Sequence, residues 1–257
     1  MPTEEARQNR AHFPRGLAQP GQGYRFAADS LLLACYPRPS GGDRFLELGT
    51  GCGAVSLGML LMNQVSGLRG TGVDRDPEMV RDAEANAARL GLSERFRPEE
   101  LDVRFVRESR LIRPESFDLV LVNPPYRSPE QGRQSPVEAE NAARVERNAG
   151  LEDFLRAAAY ALKNKGLLEL VFLAERLPYL MGALAVSRLE PKRMRLVHGR
   201  RERKASQVLV EARKNGGEGL AAEPPLILYS GDKGGLSDEA LRFCPFLECN
   251  RRQGEYR

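Results

Sequence analysis

Two short apolar runs, each ending in residues that bend the chain, constrain the fold of these 257 residues more than any other feature. Phe45-Leu46-Glu47-Leu48 runs into Gly49-Thr50-Gly51-Cys52-Gly53 and then into the helical-looking stretch from Ala54 to Asn63. Phe117-Asp118-Leu119-Val120-Leu121-Val122, bounded by Pro114 and Pro124, ends in Asn123-Pro124-Pro125-Tyr126. Near-continuous apolarity of this length, bounded by Gly and Pro, reads as a parallel strand buried on both faces. Parallel neighbours cannot be joined by a tight turn, so helices are expected between successive strands.

The remaining sequence supplies them. A helix is expected at 29–36, with Asp29 as N-cap and Pro37 as the stop. Then come strand 44–48, helix 54–65, strand 70–74, helix 77–90, strand 103–107, strand 117–122, helix 151–163, strand 167–173, helix 175–186, strand 192–198 and strand 206–213. This order predicts an α/β fold with a mostly parallel sheet of seven strands. Only Gly199 to Lys204 separates the last two strands, so they are expected to form an antiparallel hairpin at the sheet's edge. Leu226 to Tyr229 is expected to add a short strand as the tail crosses back over the surface. The division expected is an N-terminal segment with a covering helix (1–40), one α/β domain (41–230) and a basic C-terminal tail (231–257).

Open α/β sheets bind ligands at the carboxyl ends of their strands, which is where both bends fall. Glycines there permit positive φ and let a ligand approach the backbone beside a helix N-terminus. Gly49, Gly51 and Ala54 satisfy the dinucleotide fingerprint, a pattern that does not by itself separate NAD from S-adenosylmethionine. Glu47, just ahead of the first glycine, suits a cationic amino-acid moiety better than a pyrophosphate. Asp74 ends the second strand where ribose hydroxyls are usually gripped, and Asp76 with Pro77 is left to cap the next helix. Pro124 and Pro125 fix φ and remove two donors, leaving a stiff turn with carbonyls free to accept. Asn123 adds a side-chain acceptor and Tyr126 an aromatic face with a hydroxyl, so the turn fits a planar amide or amine.

Charge is uneven. The chain carries net +4, and from Arg188 to Lys214 ten Lys or Arg stand against three acids. Beside a pocket for a planar base, such a stripe is the footprint of phosphate contacts, with Arg200, Arg201, Arg203 and Lys204 at its centre. The segment from Arg127 to Gly150 is longer than the loops compact domains usually carry. Arg127 to about Asn141 is expected to close over the base, with Arg127, Arg133, Arg144 and Arg147 available to phosphates. Cys35, Cys52, Cys244 and Cys249 show no paired spacing and there are two histidines, so neither a disulfide framework nor a metal site is indicated. No apolar stretch approaches the roughly 20 residues of a membrane span, and Met1 to Arg15 has no signal-peptide core, which indicates the cytoplasm. Oligomeric state is not encoded in any pattern here.

These motifs resemble class I S-adenosylmethionine-dependent methyltransferases, and among them the bacterial valine-tRNA adenine-N6 methyltransferases. The resemblance is carried by Gln19-Pro20, Gly23-Tyr24-Arg25-Phe26, Asp29-Ser30-Leu31-Leu32-Leu33-Ala34, Glu47-Leu48-Gly49-Thr50-Gly51, Asn123-Pro124-Pro125-Tyr126 and Ala205 to Lys214. It implies a Rossmann-like fold, S-adenosylmethionine as cofactor and tRNA as partner. It further implies Asn123, Pro124, Pro125 and Tyr126 as catalytic residues. Tyr24, Arg25, Phe26 and Asp29 would close over the cofactor, with Glu47, Gly49, Thr50, Gly51, Asp74 and Asn123 lining it. The family usually has an Asp after its third strand, near the cofactor's adenine; with that strand at 103–107, Glu108 is the candidate replacement. The same turn would also fit a glutamine side chain on a protein, making a glutamine-N5 methyltransferase the alternative. A dinucleotide-binding oxidoreductase or a non-catalytic binding module is the alternative from another class.

Overall fold

A computed structural model describes residues 3–19, 26–126, 149–230 and 235–249. Its elements are α1 (Glu4–Ala11), α2 (Ala28–Ala34), β1 (Arg44–Leu48), α3 (Ala54–Met62), β2 (Arg69–Asp74), α4 (Pro77–Arg89), β3 (Phe96–Glu100), β4 (Phe117–Val122), α5 (Leu151–Ala161), β5 (Leu162–Leu173), α6 (Leu177–Val186), β6 (Leu189–His198) and β7 (Ala205–Lys214). Two-residue strands β8 (Ala221–Ala222) and β9 (Leu226–Ile227) follow, then helices α7 (Asp238–Phe243) and α8 (Phe246–Cys249).

The sheet order is β3-β2-β1-β4-β5-β7-β6, extended at its outer side by β8 and β9. β1 pairs in parallel with β2 and β4, and β4 with β5. β7 runs antiparallel to both β5 and β6. The expected hairpin is therefore present, but its second strand is inserted next to β5, and β6 points the same way as β5. Leu226–Ile227 pairs with the end of β6.

The buried strands explain the apolar runs. Leu119 and Leu121 of β4 pack with Leu31, Leu57 and Val171 on one face. Val120 and Val122 pack with Leu46, Leu155 and Phe172 on the other. Helices α2 and α3 cover the first face, α5 and α6 the second. The first core also takes in Ala240, Cys244 and Leu247 of the C-terminal segment, and Phe246 meets Phe13 edge-on at 4.7 Å.

Two expectations are corrected. Val103–Phe105 is a 3-10 turn, not a strand, and the third strand is Phe96–Glu100. β3 lies at the sheet's edge and needs only one apolar face, so its sequence Phe-Arg-Pro-Glu-Glu lacks an apolar run. Val103 and Val106 are both buried three residues apart while Arg104 and Phe105 are exposed, a helical rather than a strand pattern. Asp29 is not the N-cap of α2: the cap is Ala27, with no side-chain hydrogen bond, and Asp29 sits inside the first turn. Asp76 does cap α4, accepting from the Glu78 amide at 2.9 Å with Pro77 in the first turn.

The charged stripe is not one surface. Arg193 is 8% exposed, and the paired strands set it beside Glu211 of β7, which in turn faces Glu169 of β5. Its guanidinium lies 2.9 Å from Glu211 and 3.4 Å from Glu169, over the Tyr36 ring at 3.9 Å. Burial pushes the Glu169 carboxyl well above its ordinary range, Arg193 opposing the shift and Glu211 adding to it. Removing the cation would leave these acids buried together. Arg193→Met is expected to lower stability by about 3–5 kcal/mol in urea titrations, the cost of an uncompensated buried charge.

Candidate active site

β1 and β4 are paired with Leu48 opposite Val122. Gly49 and Asn123 are the next residues on neighbouring strands, which brings the glycine loop and the Asn-Pro-Pro-Tyr turn to one edge of the sheet. β2 contributes Asp74 beside them, Val73 being the partner of Leu48.

The loop is held by its own backbone and by one acid. The Gly49 and Thr50 amides both donate to the Val73 carbonyl, at 2.8 and 2.9 Å. Gly51, at φ +53°, donates its amide to Asp74 Oδ2 at 2.8 Å, and the Asp76 amide donates to Asp74 Oδ1 at 3.0 Å. A side chain at Gly51 would meet nothing closer than Met79 Sδ at 4.0 Å, so positive φ explains the glycine there and the space before it stays open. Burial raises the Asp74 carboxyl, with the Asp76 and Gly51 amides opposing.

Glu47 points inward. Its Oε2 accepts from Thr50 Oγ1 at 2.8 Å, from the Ser56 amide at 3.1 Å and from the Ser56 hydroxyl. Burial pushes its carboxyl up to about 7 despite these donors. An acid raised in the folded state holds its proton longer than in the unfolded chain. Its stabilising contribution is full below the unfolded value near 4.5 and is lost as pH rises through about 7. Between pH 5 and 8 the ligand-free protein is expected to lose on the order of 3 kcal/mol that a Glu47→Gln variant does not lose, read from paired unfolding curves.

The Asn-Pro-Pro-Tyr turn is tied to α2. Asn123 Nδ2 donates to Ser30 Oγ at 3.1 Å. The Tyr126 hydroxyl lies 2.9 Å from Asp29 Oδ2 and 2.8 Å from Asn123 Oδ1. Arg176, in the 3-10 turn that follows β5, donates to the Tyr126 carbonyl at 3.0 Å. The Tyr126 ring stands edge-on to Phe172 at 5.9 Å.

Of the residues singled out in the sequence, the structure gathers Asn123, Tyr126 and Asp29 in one network, and Glu47, Thr50, Gly51 and Asp74 in the loop beside it. Glu108 is exposed in the turn beyond the 3-10 helix. Asp102, two residues after β3, stands at the position expected of Glu108; it caps the 3-10 turn and pairs with Arg104 at 2.6 Å, which holds its carboxyl below the usual range. Phe26 packs against the first core. Tyr24, Arg25, Arg127 and the whole expected closing segment lie outside the described residues, as do 231–234 and 250–257 of the tail. Ser30 and Arg176 were not singled out; Arg176 was within reach, since it follows the carboxyl end of a parallel strand.

β6 runs parallel to β5, so the turn from Gly199 to Lys204 emerges at the same end of the sheet as Asn123. Arg200, Arg201, Arg203 and Lys204 are exposed there, and Lys204 reaches Glu175 at 3.6 Å, next to Arg176. Arg193 is paired with Glu211 and Arg195 with the half-buried Glu239, and Lys214 binds Glu115 and the Leu162 carbonyl at the other end.

A parallel sheet with one antiparallel strand inserted beside β5, a glycine loop after β1 and an acid ending β2 define a Rossmann-like class I methyltransferase. The chain belongs to the family described as a methyltransferase domain, matched over residues 39–167. A tRNA1(Val) (adenine(37)-N6)-methyltransferase of Mannheimia succiniciproducens is 32% identical over 62% of this chain and 60% of its own length. One of the same name from Porphyromonas gingivalis is 29% identical over 76% of each chain. Among solved structures, a predicted O-methyltransferase from Agrobacterium tumefaciens superposes with TM-score 0.67 at 24% identity, covering 85% of this chain and 96% of that one. NSun6 from Pyrococcus horikoshii superposes at 0.55 and 15% identity, covering 76% and 53%. No helix among the described residues is long and apolar enough to cross a membrane.

Proposed function

We propose that this protein transfers a methyl group from S-adenosylmethionine to the N6 amine of an adenine in tRNA, and that the target is adenine 37 of a valine tRNA. The observation that carries the reading is the Asn123 carboxamide and Tyr126 ring held at the sheet edge beside the glycine loop. The named relatives supply the nucleotide and the tRNA, which would place the reaction in the cytoplasm.

The residues around the loop fit this cofactor. Glu47, Asp74 and Asp102 put a carboxyl at or near the ends of β1, β2 and β3, a set that favours a cation and ribose hydroxyls and opposes a pyrophosphate. The N-terminus of α3 has no side-chain cap, and the space before Gly51 is open. Bound there, the cofactor supplies a methyl group on positively charged sulfur. Its ammonium beside Glu47 would favour the ionised carboxylate, Asp74 would hold the ribose, and Asp102 takes the adenine role expected of Glu108.

An exocyclic amine is a poor nucleophile because its lone pair is delocalised into the ring. Asn123 Oδ1 and the Pro124 carbonyl accept its two hydrogens and localise the pair on nitrogen, while Pro125 keeps the turn rigid. The Tyr126 ring stacks on the extruded base, whose extrusion costs less from an RNA loop than from a duplex. The nitrogen–carbon bond forms as the sulfur–carbon bond breaks, and the amine proton leaves to water afterwards, so no strong base is required. Rate comes from alignment.

Calorimetry is expected to give binding of S-adenosylhomocysteine and none of NADH. Tritium from labelled cofactor is expected in unmodified valine tRNA and not in protein glutamine; label in protein would favour the glutamine-N5 reading. Asn123→Ala is expected to lower kcat by roughly 100-fold or more through lost positioning. Neutralising Arg200, Arg201, Arg203 and Lys204 should raise the KM for tRNA and flatten its salt dependence, by about one in log–log slope for each phosphate left without its cation.

A further inference from the structure

Among the described residues the Tyr126 hydroxyl, with one proton to give, meets two acceptors, Asp29 Oδ2 at 2.9 Å and Asn123 Oδ1 at 2.8 Å. We infer that Asp29 is a positioning residue for the transfer: it draws that proton away from Asn123 and so makes the carboxamide oxygen a stronger acceptor for the substrate amine. The inference rests on the adenine-N6 reading above and assigns to Asp29 a task other than covering the cofactor.

The geometry gives Asp29 no freedom to do otherwise. It is 6% exposed, in the first turn of α2, and its Oδ1 is taken by the Ser30 amide at 2.6 Å and the Ser30 hydroxyl at 3.3 Å. Oδ2 is thereby aimed at Tyr126. Ser30, 3% exposed, receives the Asn123 NH2 group, which turns the other end of the carboxamide toward the hydroxyl and toward the incoming amine. Without Ser30 a flipped amide would present donors to a donor.

A carboxylate is a stronger acceptor than a neutral amide, and in a dry site the difference is larger than in water. The shared proton therefore lies toward Asp29. An Asn123 oxygen already bound by a hydroxyl would be a weaker acceptor for the amine, so the carboxylate keeps it strong. The same hydrogen bond fixes the plane of the ring on which the base stacks. Among the described residues Tyr126 is held by Asp29 at its hydroxyl, by Arg176 at its carbonyl and by Phe172 at its ring edge.

An isosteric Asp29→Asn exchange removes the charge and keeps the shape. With unmodified valine tRNA transcript and tritiated cofactor, it is expected to lower kcat on the order of tenfold, the loss of one charge-assisted hydrogen bond at the reacting group, with S-adenosylhomocysteine affinity unchanged. The distinguishing measurement is the cycle with Tyr126→Phe. If Asp29 acts through the hydroxyl, Asp29→Asn in the Tyr126→Phe background costs less than about twofold further, because the shared partner is gone. Losses that multiply, or cofactor affinity falling as much as kcat, would overturn the assignment while leaving the adenine-N6 reading intact. Wild-type protein that binds S-adenosylhomocysteine yet labels no RNA would overturn both. Melting temperatures of the single variants separate a folding defect from these outcomes.

Discussion

The parallel register of β1 against β4, Leu48 opposite Val122, is the constraint from which the rest of the site follows. Two strands buried on both faces can shift by a residue only by moving every side chain to the wrong core. Each core is filled by alternate residues of β4, Leu119 and Leu121 to one side and Val120 and Val122 to the other. Hydrophobic burial thus sets the spacing of two features at the strand ends, the glycine loop, whose Cys52 joins the first core, and the Asn-Pro-Pro-Tyr turn, whose Tyr126 packs against the second. The prolines carry that precision outward, because a turn without backbone freedom inherits the position of the strand that leads into it.

Electrostatics at this edge are arranged in two layers. Deep in the loop, Glu47 is buried among donors that do not fully compensate its desolvation. Around it, Asp29 and Asp74 use their carboxylates to fix other groups, the Tyr126 hydroxyl in one case and the Gly51 amide in the other. Basic groups stand outside this acidic interior: Arg176 at the back of the Asn-Pro-Pro-Tyr turn, and the exposed turn after β6 beyond it. Acidic and basic groups are thus segregated to different parts of one end of the sheet, the arrangement that the proposed cofactor and polyanion would require.

Much of this was legible from residue order. β1, β4 and the two bends were readable because burial on both faces leaves an apolar run and because Gly frees the backbone where Pro fixes it. α4 was readable from Asp76 and Pro77, whose physics is local. β3 was not, since an edge strand with one apolar face has no run to find, and Val103 to Val106 imitated one. Its misplacement carried the acid after it from Asp102 to Glu108. Asp29 looked like a cap because Asp often is one; only the fold reveals Tyr126, 97 residues away, as its partner. The basic stripe was a true count of charge and a poor map of it. Pairing of β6 with β7 turns Arg193 inward onto Glu211, while the residues of the connecting turn are left on the surface.

The polar sequence that hid β3 has its own physical consequence. Pro98 removes a backbone donor from the strand, and Arg97 and Glu99 pair as neighbouring charges along it. At the opposite margin, β8 and β9 occupy stretches of the outer side of β6. Among the described residues, neither flank offers another polypeptide a long, flat ladder of unsatisfied amides and carbonyls. A sheet built around such apolar central strands is guarded against templating its own aggregation, and the residues that make β3 unreadable are the ones that guard it.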